Sequence, residues 1–303
     1  MIIWVQKWYI VDIFATNSNT KFVRFHLNYG RLGNQLFHFI TGYGIARTLG
    51  RRHYIPILNE SDHVSKYLKQ MTKVFPRLQE TFVIAPAGIK ETVVPFANSC
   101  CVYDNPVRLS NNNASYLLLN FIYGQNPRYF EDYIADVRQI LKFSNDYRRE
   151  GDYIVDLLKM THSNLVCLHI RKTDFDVRNI STDMESSVEA ANTIARRKGL
   201  SQFMIFGDDQ KFMENMSQTI VESGNWDKNA VLVSKFKDYI DLYISSKLCE
   251  AFLITAVTST FGWWLAFFAP GQDAIYYMPD TRPHADKRPS EDLFLKTWKV
   301  YKG

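Results

Sequence analysis

The second half of the chain alternates short apolar runs with amphipathic runs, and this alternation constrains the fold more than any other feature. Apolar runs of strand length are separated by runs with apolar residues at helical spacing. Such alternation predicts a parallel sheet with helices on both faces. In order, we expect strand 164–170, helix 188–198, strand 202–206, helix 211–221, strand 230–233, helix 238–250, strand 251–255, helix 260–268 and strand 274–278.

The first half contains one clear unit of the same kind. A predicted strand at 22–27 leads through a glycine-rich loop into a helix at 35–49, and Gly50 fits the end of that helix. A strand at 52–58 completes the unit. Residues 59–125 give no clear pattern, except for a predicted strand at 116–123. A predicted helix at 129–142 follows. We therefore predict an α/β protein with an N-terminal segment 1–21, a lobe 22–155 and a second lobe 156–303.

Composition limits the classes of partner. With 46% hydrophobic and 22% charged residues in 303, the chain is globular. Its net charge of +5 is mild, and the basic residues are dispersed with no stripe interleaved with aromatics. That pattern argues against a nucleic-acid partner and leaves an anionic small molecule as a candidate ligand.

The four cysteines do not form a metal framework, because no two of them have CxxC spacing. Cys100 and Cys101 are adjacent, Cys167 falls in a predicted strand, and Cys249 falls in an amphipathic run. We expect buried free thiols. A disulfide involving Cys100 or Cys101 is the alternative, and it would require an oxidising compartment.

The apolar N-terminus is broken by Lys7 and Asp12, so it falls short of the roughly 20 apolar residues of a membrane span. It is also a poor signal peptide. The chain either has no membrane anchor or retains a remnant of one in residues 1–21. Sequons for N-glycosylation, which weakly favour a secretory protein, occur at Asn59, Asn113, Asn179 and Asn215.

Ionisable side chains cluster at the end of the predicted strand 164–170, in the sequence HIRKTDFD. His169 and Arg171 fall on one side of an extended strand, and the planar guanidinium suits a diphosphate. Asp174 would orient Arg171 or bond a hydroxyl group. The competing interpretation is a DxD metal site formed by Asp174 and Asp176, although Arg171 and Lys172 already supply positive charge there. The third interpretation is a cluster of salt bridges on the protein surface.

Two more polar clusters lie near predicted strand ends, where ligands of parallel sheets bind. In FGDD, Asp208 is a candidate for contact with a base or ribose and Asp209 for capping the next helix. In TSTFGWW, Ser259 and Thr260 are candidates for phosphate contact or for the N-cap of the last helix. We expect Trp263 and Trp264 to pack in the core.

The loop NYGRLGNQ places Gly30 and Gly33 between a strand and a helix. Glycines allow close backbone approach, and the first N–H groups of a helix suit an anion. The sequence matches neither a Walker A loop nor GxGxxG. A tight structural turn explains it equally well.

Taken in order, GRLGNQ, HIRKTD, FGDD and STFGWW resemble the motif series of the α-1,2-fucosyltransferases of glycosyltransferase family 11, in their animal-type form, over about residues 22–280. The resemblance implies a GT-B-like fold with two Rossmann-like lobes and a donor crevice between them. The lobe 22–155 would be the acceptor side, and 156–303 would bind GDP-fucose. It further implies inverting, metal-independent transfer of L-fucose to the 2-hydroxyl of a terminal β-galactoside on a glycan, without a cofactor, in the Golgi lumen as a type II membrane protein.

The resemblance also implies roles for residues. Arg171 would stabilise the leaving diphosphate, and Asp174 is the candidate catalytic base. Lys172 departs from the family, which has a second arginine there. Two rival functions remain: a metal-dependent DxD-type glycosyltransferase using another nucleotide sugar, and a catalytically silent glycan-binding relative. The expected donor-binding residues are Gly30, Arg31, Gly33, Asn34, His169, Arg171, Asp208, Ser259 and Thr260.

Overall fold

The computed structural model describes residues 19–303 in two compact units, one ending at Ser144 and the other spanning Asn145–Gly303. The lobe boundary expected after residue 155 falls inside a helix of the second unit, α4 (Asn145–Lys159). The N-terminal segment expected at 1–21 lies almost wholly outside the described residues. Within residues 19–303, no helix is long and apolar enough to cross a membrane.

The first unit is built on a parallel sheet with strand order β3-β2-β1-β5-β4. Helix α1 is buried around most of its circumference, because it packs on this sheet and on neighbouring 3-10 turns. The elements of this unit are β1 (Phe22–Phe25), α1 (Leu32–Thr48), β2 (Arg52–Ile55), α2 (His63–Val74), β3 (Val83–Ile84), β4 (Thr92–Pro95), β5 (Tyr116–Asn120) and α3 (Ile134–Ile140).

The second unit carries a six-stranded parallel sheet in the order β11-β10-β9-β6-β7-β8. All six residues of β6 are buried, as expected for a central strand covered on both faces. After α4, its elements are β6 (Leu165–Ile170), α5 (Thr173–Asp176), α6 (Met184–Lys198), β7 (Phe203–Gly207), α7 (Gln210–Gly224), β8 (Val231–Val233), α8 (Asp238–Leu248), β9 (Cys249–Ile254), α9 (Thr260–Phe268), β10 (Ile275–Tyr277) and β11 (Lys299–Val300).

The cysteines are paired, so the expectation of buried free thiols is wrong. Cys167 on β6 and Cys249 at the start of β9 form a disulfide between neighbouring strands, with their Cα atoms 5.4 Å apart. That separation is usual for a disulfide. The partners are 82 residues apart in sequence, so only the strand order brings them together. Cys100 and Cys101 form the second pair.

Candidate active site

Arg171 lies directly after β6 with its guanidinium held between two carboxylates. Nη2 is 2.7 Å from Oδ1 of Asp174, and Nη1 is 3.0 Å from Oδ2 of Asp208. The side chain of Arg171 is only 11% exposed. Because two ion pairs hold the planar group, its orientation is set before any ligand arrives.

Asp208, which follows the adjacent strand β7, ties the two strand ends together. Its Oδ1 accepts the backbone N–H of Lys172 at 2.7 Å, and its Oδ2 accepts the Thr173 hydroxyl at 2.5 Å and pairs with Arg171. Its neighbour Asp209 caps α7 by accepting the N–H of Phe212 at 2.9 Å, which confirms the predicted cap. The two acidic residues of FGDD therefore act on different partners.

Two buried threonines hold the backbone of this strand end, and sequence analysis missed both. The Thr182 hydroxyl accepts the N–H of Arg171 at 3.0 Å, and the N–H of Thr182 donates to the Arg171 carbonyl at 3.0 Å. The hydroxyls of Thr182 and Thr255 are 2.7 Å apart, and Thr255 donates to the carbonyl of His169 at 2.5 Å. Their separation of 73 residues leaves no local signal in the sequence.

Lys172 turns away from Arg171 and binds its own loop. Its Nζ lies 2.6 Å from Oδ1 of Asp176, donates to the Ser181 hydroxyl at 3.4 Å and lies 5.0 Å from the centroid of the Phe212 ring. The carboxylates of DFD thus neutralise different cations, Asp174 pairing with Arg171 and Asp176 with Lys172. Over residues 19–303, no three His, Cys, Asp or Glu side chains form a group that could hold a metal ion.

His169 is 1% exposed and packs against the first turn of α9. A Cβ atom placed on Gly262 would lie 2.4 Å from its Nδ1, so the glycine of TFGWW leaves room for this ring. Burial lowers the pKa of His169 to about 4, so the imidazole is neutral at physiological pH. The structure places this side chain behind the strand end, where it supports α9.

Ser259 occupies the N-cap position of α9, but its side chain makes no capping hydrogen bond. Thr260 begins the helix, whose first N–H groups favour a negative charge at this edge of the sheet. Trp263 and Trp264 are buried, at 4% and 0% exposure, which confirms that they pack in the core.

Asp241 is a further acidic residue near this edge that sequence analysis missed. It lies on α8 and is 5% exposed, and its Oδ1 accepts the hydroxyl of Ser234, the residue that follows β8. Burial raises its pKa to about 8, so the carboxyl is largely protonated at neutral pH. Its sequence signal, an acidic residue in the first turns of a helix, is too common to single it out.

In the first unit, the loop after β1 is a tight turn held by side chains. Asn28 Oδ1 accepts the N–H of Gly30 at 3.0 Å, and the Gly30 carbonyl accepts Nε2 of Gln35 at 2.9 Å, with Nε2 of His63 also 2.9 Å from it. A Cβ on Gly30 would come within 2.1 Å of Asn34, so glycine is required. A tight structural turn, the alternative to an anion-binding loop, is therefore sufficient to explain Gly30.

Helix α1 begins at Leu32, earlier than the predicted Gln35, so two expected donor-binding residues lie inside it. Gly33 is in its first turn and buried, whereas Arg31 is at the N-cap and exposed. Asn34 accepts a hydrogen bond from Nε2 of Gln125 at 2.5 Å. Four of the expected residues, Gly30, Arg31, Gly33 and Asn34, thus lie together in this loop and the start of α1. In the second unit, Asp208 contacts Arg171, whereas His169 packs against the start of α9, where Ser259 and Thr260 lie.

Comparison with known proteins identifies the family. Residues 102–302 match the family model described as Glycosyl transferase family 11. The Caenorhabditis elegans protein C06E1.7, provisionally named a glycosyltransferase, is 32% identical over 289 residues, covering 88% of this chain and 76% of the relative. The chain belongs to glycosyl transferase family 11.

This family 11 glycosyltransferase is also 28% identical over 295 residues to a Caenorhabditis elegans galactoside 2-alpha-L-fucosyltransferase, covering 88% of this chain and 76% of the relative. Among solved structures, it is similar to a variant of Arabidopsis thaliana FUT1 in complex with GDP. The TM-score is 0.53 at 11% identity, over 90% of this chain and 73% of that one, and this likeness concerns the fold alone. The α/β class, the GT-B-like architecture and the resemblance to family 11 are confirmed.

Proposed function

We propose that the chain transfers L-fucose from GDP-fucose to the 2-hydroxyl of a terminal β-galactoside, with inversion and without a metal ion. The observation that carries this proposal is the guanidinium of Arg171, oriented by Asp174 and Asp208 at the carboxyl end of a parallel sheet. The relatives named galactoside 2-alpha-L-fucosyltransferase support fucosyl transfer and a galactoside acceptor. FUT1, which shares the fold, was solved with GDP, and this supports a guanosine diphosphate donor.

When the donor binds, its diphosphate would replace the carboxylate of Asp174 as a partner of Arg171. The cluster of Arg171, Lys172, Asp174, Asp176 and Asp208 has two cations and three carboxylates, so it carries excess negative charge as it stands. The Asp174 side chain is 44% exposed and that of Asp208 only 17%, so Asp174 loses less by returning to water. Asp208 keeps Arg171 oriented while Nη2 turns to the diphosphate.

The same exchange would supply the catalytic base. In a single displacement, the bond between the anomeric carbon of fucose and the diphosphate oxygen breaks while the acceptor oxygen bonds to that carbon from the opposite face. The hydroxyl proton passes to Asp174, and the charge developing on GDP is stabilised by Arg171. The positive charge of Arg171 performs the task that a metal ion performs in DxD enzymes.

Replacing Arg171 tests the proposal. Arg171→Ala should abolish measurable transfer from GDP-fucose, and Arg171→Lys should retain little of it, because an ammonium lacks the planar fork. Arg149→Ala is a matched control, since that arginine forms an exposed ion pair with Asp146 on α4. Transfer is assayed with labelled GDP-fucose on a glycan array, with a parallel GDP-binding measurement. Intact transfer by Arg171→Ala would contradict the proposal.

Two further measurements separate the rivals. A metal-dependent enzyme with another nucleotide sugar would lose activity in EDTA and prefer another donor in a screen. A silent glycan-binding relative would bind glycans without detectable GDP binding. The proposal requires GDP binding and transfer that EDTA does not reduce.

We also propose that the protein resides in the Golgi lumen as a type II membrane protein. The disulfide between Cys167 and Cys249 is typical of oxidising compartments, and the four candidate glycosylation asparagines, named above, are all exposed. Removal of N-glycans from protein made in animal cells should lower its apparent mass. An unchanged mass would contradict glycosylation at these positions.

A further inference from the structure

A tight turn at residues 284–287 follows β10 and contacts two parts of the candidate site, Phe175 and Thr258. His284 and Lys287 exchange backbone hydrogen bonds of 2.9 and 3.0 Å, and Ala285 within the turn has a φ of 55°. The two bonds close the turn and fix the direction of both terminal side chains, which reach different parts of the site.

Lys287 points inward and supports the connection between β9 and α9. Its side chain is buried, with the residue 6% exposed, and Nζ donates to the carbonyl of Thr258 at 3.1 Å. Thr258 immediately precedes Ser259 and Thr260, two of the expected phosphate contacts. Burying an ammonium group is costly, so its presence at this position needs a reason.

His284 reaches the other side of the site. Its ring packs edge-to-face on Phe175 at a centroid distance of 4.8 Å, and the guanidinium of Arg171 lies over the same phenylalanine at 5.5 Å. A single turn therefore contacts both Phe175 on α5, over which Arg171 lies, and the connection that opens α9. The affinity for a ligand that contacts both elements would therefore depend on the conformation of this turn.

We propose that Lys287 is a positioning residue for the diphosphate of the donor, an inference that rests on the proposed function. Its ammonium group holds the Thr258 carbonyl, fixes the turn into α9 and adds buried positive charge behind Ser259 and Thr260. Because a charge acts more strongly where water is excluded, a buried lysine reinforces a dianion better than an exposed one.

The proton on Lys287 is linked to binding. Burial lowers the pKa of Lys287 to about 7, so the empty protein holds a mixed population near neutral pH. The charged groups that act on His284 at the other end of the turn are Arg178, Asp174 and Lys287 itself. Asp286 and Arg288 flank Lys287 in the chain, whereas Thr258, Ser259 and Thr260 contribute no ionisable side chain. A bound diphosphate favours the protonated lysine, so binding takes up protons and weakens as the pH rises through about 7.

The test is calorimetric binding of GDP-fucose, whose diesterified diphosphate keeps its charge between about pH 6 and about pH 8. Lys287→Met and Lys287→Gln should raise the Kd roughly tenfold or more, because each removes a charged partner. Lys287→Arg should bind like the native protein at low pH and keep that affinity at high pH. In transfer assays, the KM for GDP-fucose should rise while the KM for the acceptor stays unchanged.

Lys299→Met is the matched control, because Lys299 also donates to a backbone carbonyl, that of Asp273, but is exposed and lies on β11. Thermal unfolding of each variant separates folding from binding, and Lys287→Gln decides if Lys287→Met does not fold. Native-like affinity of Lys287→Gln would overturn this inference alone. Failure of the native protein to bind GDP-fucose would overturn the proposed function as well.

Discussion

Asp174 and Arg171 form an ion pair whose two members would part during catalysis. Asp174→Asn keeps the shape of the side chain but removes its charge and its basicity. Because Arg171 would then be released from one competitor, GDP-fucose should bind as well as before or better. The kcat should fall roughly 100-fold or more, the usual loss for a general base.

Steady-state kinetics of Asp174→Asn with both substrates check this prediction, and Asp156→Asn, at an exposed position on α4, is the matched control. A kcat within a few-fold of the native value would exclude Asp174 as the base. The proton would then leave to water late in the displacement.

Lys172 has a local role in the structure. Its ammonium pairs with Asp176 at 2.6 Å, with side-chain exposures of 23% and 51%, a partly exposed pair of small energetic value. Lys172→Ala should therefore raise the KM for GDP-fucose only a few-fold, and Lys172→Arg should be nearly neutral. Steady-state kinetics of Lys172→Ala and Arg171→Ala, measured side by side, check this prediction. If Lys172→Ala lost as much transfer activity as Arg171→Ala, the two cations would share one role.

Elements were predictable where the chain is regular. The central strands of the second sheet are buried on both faces, so their sequences read as continuous apolar runs, and residues such as Asp209 mark helix starts. Helix α4 was missed because Gly151 and Val155 are its only fully buried residues. Strand β4 was missed because it is a sheet edge with mostly exposed side chains.

The site was predictable only in part, for a related reason. Arg171 and Asp208 follow strands whose ends meet at one edge of a parallel sheet, so the strand order alone predicts that they lie close together, and they form an ion pair. Thr182 and Thr255 act through pairings across the fold, and His169 looked like a ligand although it is buried beneath α9. Local patterns locate strand ends but do not specify which side chains face solvent there.

Helix α4 gives a prediction at the scale of packing between elements. A Cβ on Gly151 would lie 2.2 Å from Cδ1 of Tyr243 on α8, so the glycine lets the two helices approach. Gly151→Ala gains about 1 kcal/mol in helix propensity, but overpacking of this kind costs about 1–3 kcal/mol. We expect a lower free energy of unfolding, measured by urea denaturation with Glu150→Ala as control. A stabilised Gly151→Ala would show that Tyr243 moves aside without cost.

At the scale of the whole molecule, acid should destabilise the first unit through two buried histidines. His38 and His53 are each 1% exposed, and burial lowers the pKa of both, that of His53 to about 3. Below about pH 6.5 the unfolded chain binds protons at these rings and the folded chain does not. Stability is therefore retained above that pH and lost as the pH falls, by about 1.4 kcal/mol per pH unit for each histidine.

Urea midpoints of the native protein and of His53→Leu, compared between about pH 7.5 and about pH 4.5, check this prediction. The native midpoint should fall more steeply with acid than that of the variant. Parallel curves would mean that His53 does not titrate on unfolding.

The bond between Cys167 and Cys249 turns part of the second unit into a covalent ring. It closes a segment 82 residues long that contains Arg171, Asp174, Thr182 and Asp208, a constraint worth about 4.5 kcal/mol in the chain-entropy model. A protease cut in an exposed loop of this ring would leave both pieces tethered. A nicked molecule would therefore migrate as one species on a non-reducing gel, with the partners of Arg171 still attached to the same body.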